Sequence, residues 1–171
     1  MILEVTHYPA VPQSTDPVTV TARIVDEAAN PAVSVHYRLD GAPAFEVSPM
    51  LDDGQHGDGL AGDGLYGAVL PLQADKSVVE FYVAAVDAAG LQRTWPGPTD
   101  DLGTQGANAL YQVDKVGYGG SQPLYRFIVT ASEWNAWLGL MDNTTGGRYS
   151  DAAMNGAVVR IDGTGTEVRY S

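Results

Sequence analysis

Four aspartates, Asp52, Asp53, Asp58 and Asp63, sit within the glycine-rich stretch LDDGQHGDGLAGDGLYG at residues 51–67. They are the residues of this chain whose type and spacing best suit chemistry, and that chemistry is the binding of a hard cation. Calcium takes about six to eight oxygen ligands from carboxylates, carbonyls and water, whereas magnesium demands a strict octahedron and keeps its waters. Carboxylates crowded into one short loop repel, and a divalent ion relieves that repulsion. The loop is therefore a candidate site for one structural Ca2+ held by these four side chains. The Asp-Gly pairs recur every five residues, at Asp53, Asp58 and Asp63, which is not the spacing of an EF-hand. A second reading stands beside the first. Asp in an Asp-Gly turn accepts hydrogen bonds from nearby backbone amides and shapes the turn with no ion, with Leu60, Leu65 and Tyr66 as anchors. His56 with Asp58 invites a transition-metal reading, but one histidine in a glycine loop is a poor basis for it.

Other constellations are weaker. The chain has no cysteine, which removes disulfides, thiolate zinc sites and thiol catalysis together. No Gly-x-Ser-x-Gly motif occurs, and Asp100-Asp101 lies in connector-like sequence without pocket walls. Gly117–Ser121 lacks the Lys-Ser or Lys-Thr ending of a phosphate loop and reads as a linker. Asn143-Thr-Thr145 fits the glycosylation pattern. Trp95, Trp134 and Trp137 could stack on a sugar. The three-residue spacing of Trp134 and Trp137 instead favours packing in a core, and Trp95 is placed to seal the sandwich base or the joint between the two parts. The expectation is a protein without catalytic activity.

The elements that must carry these residues are mostly strands. In residues 18–24 and 33–39, apolar and polar side chains alternate with the period of a sheet that is buried on one face. Ile2–Tyr8, Ala44–Met50, Tyr66–Leu72, Ser77–Asp87 and Leu91–Trp95 complete seven short strands, with a hairpin turn at Asp40-Gly41. His36 falls on the polar face and is expected to be solvated. Residues 97–122 read as a Pro, Gly and Asp-rich linker with one possible extra strand in ALYQVD. Residues 123–171 read as a small α+β segment: a strand at residues 123–130, a helix, and a hairpin of residues 156–162 and 166–170 across Gly163-Thr-Gly165. Thr130-Ala-Ser-Glu133 has capping-box spacing, Trp134, Trp137, Leu138 and Met141 form the predicted buried stripe, and Asn143–Gly147 ends the helix.

With 171 residues and 44% hydrophobic content the chain can build a core, and its net charge of -12 disfavours nucleic acid and anionic membrane surfaces. No apolar run approaches the ~18 residues of a membrane span. No signal peptide is legible, and strand-like alternation from Ile2 suggests a segment from inside a longer protein.

VEFYVAAVDAAGLQRTWP and the Asp-Gly loop resemble bacterial fibronectin type III-like and immunoglobulin-like modules over residues 1–95. PLYRFIVTASEWNAWL and AVVRIDGTGTEVRY resemble the amino-terminal edge of a spore-coat-protein-H (CotH) kinase-like domain over residues 120–171. That family's nucleotide-binding and catalytic residues lie beyond Ser171, so none is carried over. The resemblances imply an antiparallel Ig/FnIII-like β-sandwich at residues 1–96 with a truncated α+β appendage. They imply a structural or interaction module of a secreted or cell-surface bacterial protein, whose partners are the parent's other domains or a surface glycan or protein. That the module is calcium-stabilised is an expectation from the acid density of the loop and not from the resemblance. The alternatives are a carbohydrate-binding module and the N-terminal part of a CotH-type kinase-like protein.

Overall fold

A computed structural model describes residues 1–25, 31–117, 120, 122–141, 156–162 and 165–170. Its strands are β1 (Ile2–Tyr8), β2 (Val18–Ile24), β3 (Ala32–Leu39), β4 (Glu46–Met50), β5 (Leu65–Leu70), β6 (Val78–Val86), β7 (Gln92–Trp95), β8 (Ala109–Gln112), β9 (Leu124–Val129), β10 (Gly156–Asp162) and β11 (Gly165–Tyr170), with one helix, α1 (Ala131–Met141). All pairings are antiparallel. One sheet has the order β1-β2-β5 and faces a second of order β4-β3-β6-β7, while β9, β10 and β11 form a third. The protein is a β-sandwich with a small α+β appendage.

The period-2 alternation decides which side chains enter the core. Val18, Val20, Ala22 and Ile24 on β2 meet Val33, Val35 and Tyr37 on β3, with Val79, Phe81 and Val83 of β6 beside them. Thr19, Thr21 and Arg23 point the other way and are half-exposed. At the β3 end Leu39 leaves this pattern and is exposed, because the chain turns there: the Ala42 amide donates to the Leu39 carbonyl at 2.9 Å and Gly41 takes φ 82°.

The extra strand in the connector region forms, and it is part of the core. β7 pairs with one half of β6, from Val86↔Gln92 to Val83↔Trp95, and β8 continues along the other half, from Phe81↔Ala109 to Val78↔Gln112. The closing strand is thus one line in two pieces, interrupted by the excursion of residues 96–108. The Gln105 side chain spans the neck of that excursion, donating to the carbonyls of Pro96 and Ala107 at 3.0 Å each. Ala109 and Tyr111 face the sandwich core, whereas Leu110 faces a second cluster with Ile128, Ala157 and Val159. A strand covered on both faces need not alternate, which is why its short apolar run carries no period.

The third sheet is held to the sandwich by this shared strand and by specific ties. Arg126 donates to Asp114 at 2.5 Å, and Asp114 also accepts from Lys76 at 2.6 Å. The Ala131 amide at the start of α1 donates to Asp40 at 2.7 Å, placing a carboxylate at a helix N-terminus. Thr130 caps the helix as predicted, its hydroxyl accepting from the Glu133 amide at 3.1 Å.

Candidate functional site

The loop of residues 51–67 runs from β4 in one sheet to β5 in the other. Its base is closed by Leu51 and Gly67, whose amides each donate to the other's carbonyl at 2.9 and 2.8 Å. At Gly54 and Gly57 the chain turns with φ of 74° and 75°, conformations that L side chains resist.

Asp58 is the centre of the loop and is completely buried. One carboxylate oxygen accepts from the amides of Asp53 and Gly54 at 2.6 and 2.8 Å, and the other accepts from the His56 amide at 2.8 Å. Burial alone would raise its pKa. The amides of Gly54, His56 and Asp53 outweigh that and hold the carboxyl below the usual range. Asp52 has the same role at the other end, accepting from the amides of Gly62 at 2.7 Å, Gly64 at 2.9 Å and Asp63 at 3.2 Å. Asp63 accepts from Leu65 and Leu60 at 2.9 and 3.2 Å. Asp53 accepts from the Gln55 amide and from His56 Nδ1, both at 2.9 Å. The adjacent His56 ring is the main cause holding the Asp53 carboxyl below its usual range.

Of the four candidate ligands, the fold gathers Asp53 and Asp58 with His56, whose ligand-type atoms lie within 4.8 Å of one another. Asp52 and Asp63 belong to a separate knot of amide contacts, outside that group. The donor set fits a calcium site poorly: the carboxylate with the deepest position already serves three amides, and one of the three converging side chains is an imidazole rather than an oxygen donor. The same use of aspartate recurs where no cluster exists. Asp87 accepts from the amides of Ala89 and Leu91, and Asp100 from those of Leu102 and Thr104. Much of the acidic excess therefore serves to close turns.

Gly67 shows how tightly the loop lies on β5. A Cβ there would sit 2.3 Å from the His56 carbonyl oxygen and 3.2 Å from the Asp58 Cβ. Gly67→Ala should cost about 1–3 kcal/mol of stability, while Gly97→Ala, with open space around it, should be near neutral. Chemical denaturation of the two variants checks this.

The aromatic expectations need correction. The stripe on α1 is not buried: Trp134, Trp137 and Leu138 are 48%, 37% and 43% exposed. The Met141 side chain, Asn143–Gly147 and the sequon Asn143-Thr-Thr145 lie outside the described residues, as do residues 163 and 164 of the hairpin turn. Helical spacing puts side chains on one face but does not supply a surface to cover it. Here α1 leans over β9, leaving an apolar groove of about 380 Å³ between Trp134, Trp137, Phe127 and Val129. The two tryptophan rings are 4.9 Å apart and tilted by 46°, so they do not form a flat sugar platform. Trp95 is half-buried and packs edge-on against Tyr170 at 5.4 Å, sealing the joint between sandwich and appendage.

His36, too, differs from expectation. It is half-buried, stacked on Tyr82 at 4.5 Å, with Ser34 and the Tyr82 hydroxyl at 3.1 and 3.0 Å from its nitrogens, and burial lowers its pKa. The buried cluster around His7 escaped sequence reasoning. Its two-residue separation from the inward-facing Val5 was the available signal.

No protein-family profile matches this chain, and no curated protein matches it in sequence. Among the described residues, no helix is long and apolar enough to cross a membrane.

Proposed function

We propose that this chain is a non-catalytic structural and interaction module of a larger secreted or cell-surface bacterial protein, with an Asp-Gly loop that is stapled by its own carboxylates. The observation that carries the reading is the pairing inside the loop. Asp52, Asp58 and Asp63 spend their oxygens on backbone amides, so the side chains best suited to bind a ligand hold the loop's shape instead. The strand order supports an immunoglobulin-like or fibronectin-like sandwich: β1-β2-β5 facing β3-β6-β7 corresponds to strands A-B-E facing C-F-G, with β4 added beside β3.

A calcium-stabilised loop is the second reading, favoured by the convergence of Asp53, His56 and Asp58. Thermal melts of the full chain separate the two. The self-stapled loop should give the same melting temperature in millimolar calcium and in EDTA, and a saturable rise of several degrees with calcium would instead establish the ion. The same melts with ATP and with a glycan panel test the rival readings. A saturable shift with ATP would support a CotH-type role, one with a glycan a carbohydrate-binding module, and either would overturn the scaffold.

A further inference from the structure

We propose that His7 is an acid-sensitive latch that holds β11, and with it the third sheet, on the sandwich. His7 lies on β1 and is 5% exposed. Its ring is enclosed by Phe81 of β6, Tyr111 of β8 and Tyr170 of β11, with centroids at 6.0, 5.2 and 5.8 Å. Nε2 lies 3.2 Å from the Ala10 carbonyl, which accepts only, so that nitrogen carries the proton. Nδ1 is then the bare nitrogen, and it accepts from the Tyr170 hydroxyl. The neutral ring thus satisfies both nitrogens and joins residue 7 to residue 170.

Protonation breaks this arrangement. It places a second N–H at Nδ1, so the Tyr170 hydroxyl must turn its hydrogen away and accept, and that hydrogen loses its partner. The groups facing the ring are two phenols, a phenyl ring and one carbonyl. Tyr111 and Tyr170 are the titratable ones, and burial raises the pKa of both, so neither offers a negative charge near neutral pH. Glu80 of β6 is engaged on the opposite side of its strand with Arg38 and Asn108. An imidazolium here would be desolvated without a counter-ion, which is costly. Burial accordingly pushes the His7 pKa down to about 4, the Ala10 carbonyl only partly opposing it.

A histidine whose folded pKa is depressed favours release as pH falls. The released ring takes up a proton near its ordinary value of about 6.5, so the latch holds fully above that pH and weakens down to about 4. From pH 7 to pH 5 the opening equilibrium should rise about 20-fold. The Asp114 tie to the third sheet does not titrate in this window. Lys76, with the Val116 amide and Arg126, keeps the Asp114 carboxyl far below the usual range.

Amide hydrogen exchange on the full chain, corrected for intrinsic rates, tests the latch. Between pH 7 and pH 5, β10 and β11 should lose protection about 20-fold while β3 does not. In His7→Phe, which retains an aromatic ring but cannot be protonated, the pH response of β10 and β11 should vanish. An unchanged response in His7→Phe, or β3 opening in step with β11, would overturn the proposal. An NMR titration of the wild-type imidazole needs no variant: a pKa well below 6.5 supports the latch, and one at or above 6.5 refutes it.

Discussion

Asp58→Ala should be among the most damaging single substitutions in the sandwich, lowering stability by about 3–5 kcal/mol and the melting temperature by roughly 10 °C. The carboxylate it removes is fully buried and accepts three backbone amides. Alanine leaves all three donors without a partner in a loop packed against Gly67, where rearrangement is limited. Asp58→Asn separates charge and acceptor geometry from shape. It keeps the volume but presents an NH2 to at least one of the same amides, so it should recover only part of the loss. The pH dependence has a definite sign. A carboxyl held below its usual range contributes its full stabilisation above the unfolded pKa of about 4, and that contribution is lost as pH falls through the lower, folded value. Both variants should therefore lose less stability than wild type on acidification below pH 4. Urea denaturation at pH 7 and pH 3 reads both effects; a near-neutral Asp58→Ala would mean that the loop is held by something else.

Glu80→Ala should cost about 3 kcal/mol, measured by the same denaturation. The Glu80 side chain is 6% exposed and that of Arg38 26%, and the guanidinium grips the carboxylate through Nε at 3.2 Å and Nη2 at 3.1 Å. Asn108 donates to the same carboxylate at 3.0 Å and immediately precedes β8. Removing Glu80 strands a charge and frees the residue that starts β8, so the third sheet should loosen together with the sandwich edge. The cost comes from the unpaired remainder and not from the pair as such. Replacing both partners, Arg38→Met with Glu80→Leu, should recover most of the stability. A double variant as unstable as the sum of its singles would contradict this account.

How much of this was legible beforehand depends on how local each feature is. The seven sandwich strands, the Asp40-Gly41 turn and the Thr130 cap each follow from a few adjacent residues, because alternation, positive φ and capping are short-range constraints. The role of the loop aspartates was legible only as two alternatives. Acid density is the same whether a carboxylate meets an ion or an amide, and only the folded path shows which amides turn inward. The α1 stripe was misjudged for a related reason: periodicity reports a shared face, and burial needs a partner surface from elsewhere in the chain.

The amino-acid order by itself determined the strand periods, the turns, the acidic surface and the absence of thiol chemistry. Tertiary structure alone decided that the apparent connector supplies the second half of a core strand, that Asp58 is buried among amides, and that His7 meets Tyr170 across 163 positions of sequence. The physical reason is that backbone preferences act over a few residues. Desolvation and hydrogen-bond partnership depend on what the whole chain brings alongside.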